Sequence, residues 1–347
     1  MKYFFQISLI VSLVKFVLAA DNYIEIRGSV TTTMGQNLTD YFNFAGLDSN
    51  ANDGYDIFTD LPEPPHCPFN YLSLCFPHAE WGSIFGENFS ADFRNGNDNL
   101  INQVKIYPIQ AGSDQIGRSI NLEFNIGEDY PQEYGIVFCD SSGNPYQNIR
   151  EDNDFDFVTV SEEVYFELRL GDGTAHEIEI LFPTPDTVLY QNNNYNIIWE
   201  SLDITPIKYS VVLFSLDNGL NWTLLDTLEG CYNSLQWAPP DITSDSVKIK
   251  IEAEDWAGNI GVGISESTFS IAFPASPLII IDVSGNDIIL HWQNLTSVSG
   301  YRVYYQNVPY FTPGGIPQAV VLPPDTSWID AGAVGQGQRF YRVVVEY

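Results

Sequence analysis

The stretch YSVVLFSLDNGLNWTLLDTL, residues 209–228, decides the fold. Apolar and polar residues alternate on either side of a short polar turn, the period-two signature of paired strands rather than the 3.6-residue period of a helix. Within it, Ser215-x-Asp217-x-Gly219-x-x-Trp222 matches the Asp-box hairpin pattern. In that pattern Asp217 caps the turn backbone, Gly219 supplies a positive φ and Trp222 packs beneath. The pattern occurs once, whereas a propeller repeats its blade several times, so it speaks for hairpin geometry and not for glycoside chemistry.

The alternation continues outward. Downstream come LQWAPP (235–240), VKIKIEAEDWAGNIG (247–261) and STFSI (267–271), and upstream IEILFPTPDTVLYQNNNYNIIWES (178–201), where Trp199 is a bulky residue suited to the space between two sheets. Earlier still are YIEIRGSV, YLSLCF, FSADF, QVKIYPI, SINLEFNI, YGIVFC and VYFELRL, enough short strands for a two-sheet sandwich of Greek-key or jelly-roll type. After Pro277 come LIIIDV, IILHW, GYRVYYQ, AVVL, TSWID and RFYRVVVEY. No long amphipathic helix can be read anywhere, so the expected fold class is all-β, a row of tandem β-sandwich modules.

The chain of 347 residues carries a formal net charge of −31 with only 17% charged residues. Its acidity comes from scarce Lys and Arg, and 14% aromatics make it too apolar for a disordered acidic tail. Such a charge repels phosphate, so neither a nucleic acid nor an anionic membrane surface is an expected partner. Acids and bases number 27 and 6 in 21–177, 13 and 3 in 178–274, and 5 and 3 in 275–347. These boundaries fall at Pro183 and Pro185 and at Pro274 and Pro277, which read as module junctions.

Residues 1–20, MKYFFQISLIVSLVKFVLAA, read as a secretory signal peptide: Lys2, an apolar run, then Ala19 and Ala20 before Asp21. Lys15 interrupts the run well short of the roughly 20 apolar residues of a span, so no membrane span is expected after cleavage. The expected organisation is a signal peptide (1–20), an acidic N-terminal β-sandwich (21–177), an Ig-like domain (178–274) and a fibronectin type III-like domain (275–347) lacking its last strand.

Residues 178–272 resemble bacterial Ig-like surface modules through a Trp strand, an Asp-box hairpin, a Trp-x-Pro strand and the Asp255-x-x-Gly258-Asn259 turn. The segment from 278 resembles a fibronectin type III module, with Trp292 at the second-strand core position, Tyr301 to Tyr305 as third strand and Tyr341, Arg342 and Val343 in the sixth. That family has seven strands, and the resemblance implies a bare edge on RFYRVVVEY, accounted for by a natural chain that continues past Tyr347, by a partner that donates a strand, or by a different strand order. GLDSNANDGYDIFTDLPEPP (46–65) resembles a stretch in the N-terminal β-domains of secreted multi-module proteins of Gram-negative anaerobes. It is too long for an ordinary hairpin loop and must be tied down or functional.

Asp48, Asn50, Asn52, Asp53 and Asp56 space oxygen donors as calcium requires, but Gly54 and the absent twelfth-position Glu put the loop out of EF-hand register. The plainer reading is Asx turns that cap their own backbone. His66, Cys67, Cys75 and His78 are four potential zinc ligands, yet adjacent residues of an extended chain point apart, which favours a Cys67–Cys75 disulfide, with buried free thiols as the bland alternative. Trp81 and Trp256, in a polar loop and a hairpin tip, are candidate stacking surfaces for a ligand or for a neighbouring module. No catalytic motif occurs, and all four His residues, His176 among them, lack a motif partner. The expected role is noncatalytic, an adhesion, interaction or spacer protein with a protein or glycan partner at the cell surface. The alternatives are carbohydrate binding by the first region and a secreted hydrolase with accessory modules.

Overall fold

The structure is a computed structural model that describes residues 22–191, 193–273, 276–295 and 298–346; the signal peptide expected at 1–20 lies outside them. Among the described residues there are 26 strands and no α-helix. They group into three successive sandwiches, each closed around its own apolar core.

The first sandwich contains β1 (Asn22–Thr31), β2 (Asn37–Asp48), β3 (Leu61–Pro62), β4 (Leu72–Pro77), β5 (Asn88–Asn95), β6 (Val104–Ser113), β7 (Ser119–Ile126), β8 (Gly135–Asp140), β9 (Pro145–Asn148), β10 (Asp154–Val158) and β11 (Glu163–Gly171). The hydrogen-bonded order is β10-β7-β1-β2-β5-β4-β6-β11-β8-β9, with β3 beside β5. β2 and β5 are parallel and the other pairs antiparallel. The path folds over between β5 and β4, so Ile24, Ile26 and Val30 of β1 share one core with Leu72, Leu74 and Phe76 of β4. Alternation puts one face of strands such as β1, β7 and β11 inside, and burying apolar surface supplies the dominant stabilisation.

The long connection expected over 46–65 is shorter than the sequence suggests. Gly46 to Asp48 continue β2, and Leu61–Pro62 form a two-residue strand. Gly46 is required there, since a Cβ would lie 2.4 Å from the Asn22 carbonyl oxygen and 2.6 Å from the Phe93 ring. The rest of the loop lies over β5. Ala51 packs with Phe44, Ala91 and Phe93 in a second small core, and buried Asp60 accepts the N–H groups of Phe93 (2.9 Å) and Asp56 (2.6 Å).

The second sandwich contains β12 (Glu177–Phe182), β13 (Val188–Tyr190), β14 (Tyr195–Leu202), β15 (Ile207–Ser215), β16 (Thr223–Glu229), β17 (Ser234–Trp237), β18 (Ser244–Asp255), β19 (Ile260–Ile264) and β20 (Phe269–Ala272). Sheet β12-β14-β17 faces β13-β20-β18-β15-β16, with β19 beside β18. Trp199 is buried between them with Ile197, Val212, Ile249, Ile251 and Phe269, as an Ig-like core requires. The turn at 215–221 is knitted by Asp217, whose carboxylate accepts from the Ser215 hydroxyl (2.7 Å) and the Asn221 N–H (2.8 Å).

The third sandwich contains β21 (Ile279–Ser284), β22 (Asp287–Trp292), β23 (Gly300–Gln306), β24 (Ala319–Val321), β25 (Ser327–Asp330) and β26 (Phe340–Glu346). β21-β22-β25 and β24-β23-β26 are the two sheets of a fibronectin type III-like order, closed on Leu290, Trp292, Tyr301, Val303, Val343 and Val345. Among the described residues β26 pairs on one side only, with β23.

Candidate functional site

The residues singled out from the sequence do not converge. Asp48 accepts the N–H of Asn50 at 2.7 Å, an Asx turn, and Asn52 donates to Asp56 at 3.2 Å. Asp53 accepts from the Asn95 N–H (3.1 Å) and from the ammonium of buried Lys105 (2.6 Å), which also reaches Asp98 (2.8 Å). The charge facing Asp53 is thus a lysine, whose proximity holds its carboxyl below the usual range against the opposing effect of burial. His66 stacks on Tyr71 at 3.9 Å, while buried His78 lies between Asp92 (2.9 Å) and Glu80 (2.6 Å). The cysteines are free thiols, Cys67 exposed and Cys75 buried, so the two are not bridged. Burial pushes the Cys75 thiol up to about 12.

Neither tryptophan stands clear of the protein. Trp81 is stacked on His78 at 3.7 Å and tilted against Phe89. Trp256 packs with Ala257 of the second sandwich against Val137 and Cys139 of the first, beneath the Lys208 ammonium at 5.7 Å.

That contact belongs to a joint between the first two sandwiches which no local spacing announces. The connecting segment 172–176 is tied on its first side by backbone. The N–H of Asp172 donates to the Leu100 and Gln103 carbonyls (2.8 and 2.9 Å), and that of Gly173 to Ile101 (2.8 Å). Asp172 takes a left-handed φ of 60°, a conformation that Asp tolerates better than most residues. On its other side β12 crosses close to β19. A Cβ on Gly261 would come within 2.3 Å of the His176 carbonyl oxygen, and one on Gly263 within 2.6 Å of Ile178.

This crossing places His176 beside the ends of β14 and β18. Among the described residues, His176, Asp203 and Asp255 form the one group of three or more His, Cys, Asp or Glu whose ligand atoms all lie within 4.8 Å of one another. Asp255 is gripped by Asn259 through its backbone N–H (2.9 Å) and side-chain amide (3.0 Å). The Thr174 hydroxyl lies 3.0 Å from Asp172 and 3.3 Å from Asp203, holding a third carboxylate next to the group. Burial raises the Asp255 carboxyl, the Asn259 bonds oppose this, and the charges of Asp172 and Asp203 raise it further. A cleft of about 440 Å³ opens alongside, lined by Val137, Cys139 and Arg169 from the first sandwich and by Ile204, Thr205 and Pro206 from the second.

Strand order and cores define an all-β chain of tandem sandwiches, the second Ig-like and the third fibronectin type III-like. No family model matches the sequence, and no curated protein is significantly similar to it. Among solved structures, the chain is similar to fibronectin(III)-like modules of Clostridium thermocellum CbhA, at 11% identity over 49% of this chain and 94% of that one, TM-score 0.23. A tetra-tandem repeat from the extending region of a large adhesion protein gives 11% identity, 94% and 88% coverage and a TM-score of 0.24. The human desmocollin-1 ectodomain gives 8%, 86% and 76%, and 0.15. The class follows from the strand order and not from these likenesses. No helix among the described residues is long and apolar enough to cross a membrane.

Proposed function

We propose that this is a noncatalytic, exported protein of three modules, 21–177, 178–274 and 275–347, which acts at a cell surface as a spacer that presents an interaction face to a protein partner. The observation that carries this reading is the joint between the first two sandwiches. Backbone bonds, the Trp256–Ala257 contact with Val137 and Cys139, and the Lys208–Glu151 ion pair (2.6 Å) all cross it or anchor its linker. A hinged enzyme gains from relative motion of its domains, whereas an arm that holds a partner at a distance gains from their being locked. The acid excess of the first module supports the reading too, because it suppresses self-association and selects partners with a basic face.

Expression with residues 1–20 in place, followed by fractionation and N-terminal sequencing, tests export; a mature chain that starts at Asp21 outside the cell is expected. Immobilised mature chain should then capture whole cells or surface protein in a salt-sensitive way and leave a glycan array blank. Retention of the uncleaved chain inside the cell, or selective glycan capture, would overturn the reading.

A further inference from the structure

We propose that His176, Asp203 and Asp255, with Asp172 beside them, bind one divalent first-row transition ion of the zinc type, which staples the linker 172–176 to the end of the second sandwich. The ligand atoms of the first three already lie within 4.8 Å of one another, near enough for a single ion at about 2.0–2.2 Å from each once the side chains turn inward. They come from three separate segments, the linker and the ends of β14 and β18, so an ion there would be chelated by the fold and not by a loop.

Three side chains point to a missing ligand independently of the acidic character of the group. His176 is only 7% exposed, and its Nδ1 has no partner. Its Nε2 lies 2.8 Å from the Thr205 carbonyl oxygen, which can only accept. In the neutral ring the proton therefore sits on Nε2 and the Nδ1 lone pair is free, the tautomer in which a histidine ligates metal while a carbonyl orients it from behind. Asp172 is 1% exposed, and its Oδ2 is likewise unpartnered, as is Oδ2 of Asp203. Among the described residues none of the three carboxylates is in an ion pair with Lys or Arg. Buried carboxylates without a counter-charge are costly, and a divalent cation removes that cost at once. The donor set selects the ion: calcium and magnesium take oxygen ligands, whereas imidazole nitrogen with carboxylate suits zinc and its neighbours.

The site does not depend on the spacer reading, because binding is measured on the free chain. Full-length mature protein, stripped with chelator, is titrated calorimetrically with Zn²⁺, Mn²⁺ and Ca²⁺, alongside His176→Gln and Asp203→Asn. One Zn²⁺ per chain is expected, with the melting temperature raised, and with at least tenfold weaker binding in either variant. X-ray absorption of the zinc form should show nitrogen and oxygen neighbours and no sulfur. Circular dichroism checks that His176→Gln folds; if it does not, Asp203→Asn, at a less buried position than His176, carries the test. Absence of Zn²⁺ binding, binding undiminished in Asp203→Asn, sulfur in the zinc shell, or Ca²⁺ bound more tightly than Zn²⁺ would each overturn the proposal.

Discussion

Glu63 illustrates how a single buried carboxyl sets the pH response of a sandwich. Burial first, and then the charge of Asp40, push it up to about 8, against 4.5 in an unstructured chain. Asp60, buried against Phe93 and near Asp92, is pushed up to about 7. The native state therefore binds these protons more tightly than the unfolded state. The resulting stability is fully present below the unfolded values and is lost as pH rises through 7 to 8. The melting temperature of the first sandwich should accordingly fall between pH 5 and pH 8. Glu63→Gln, which keeps an acceptor for the Ser73 hydroxyl and resembles the protonated acid, should flatten the upper part of that fall. Thermal melts across the range read this directly, and an unchanged slope in the variant would show that Glu63 is ionised throughout. Little of this was legible beforehand. Glu63 sits in a Pro-rich run and acquires its neighbours Asp40 and Ser73 only when β2 and β4 are brought together.

Among the elements, those with a clean alternation could be read directly: in β1, Ile24, Ile26, Gly28 and Val30 are buried and the alternate residues Glu25, Arg27 and Ser29 are less so. β2 could not, although it lies near the centre of the sheet path. Its second half, from Phe44 to Leu47, is buried on both faces, one against the main core and one beneath the 49–60 loop, so its apolar run carries no period. The same close packing yields a prediction. Gly46→Ala would drive a methyl into the Phe93 ring and the Asn22 carbonyl, and should cost about 1 to 3 kcal/mol in urea unfolding, as overpacked sites do. Gly54→Ala, whose Cβ would meet nothing and whose φ is not left-handed, serves as a control for the backbone effect of losing glycine. If both variants cost the same, the close approach at Gly46 is not the constraint. The metal-ligand group was illegible for a related reason. His176, Asp203 and Asp255 are far apart in sequence, and only the crossing of β12 over β19, permitted by Gly261 and Gly263, brings them together. The one local signal was the turn Asp255-x-x-Gly258-Asn259, which marks where Asp255 is held but not what faces it.

For the whole molecule, three separate cores imply that damage stays local where sandwiches do not share a joint. Trp292→Ala removes the largest side chain of the third core and should cost that sandwich about 3 to 5 kcal/mol, a large share of a domain's total of about 5 to 15. Calorimetry should show its transition shifted down while those of the first two sandwiches stay in place. Trp199→Ala should behave differently. Loss of the second core also releases Trp256 and Ala257 from Val137 and Cys139, so the transition of the first sandwich is expected to move as well. One transition shifting as a unit in both variants would mean a single cooperative block and would refute the division into three. The interlock also bears on how such a protein can be rearranged. A chain of independent beads can be lengthened, shortened or reshuffled one bead at a time. Here a copy of the first sandwich moved elsewhere would carry the naked Val137–Cys139 seat of Ala257, and a copy of the second would leave His176 and Asp255 behind an unfilled flank. For the first two sandwiches, the smallest portion that can be transplanted without opening a wound is therefore the pair.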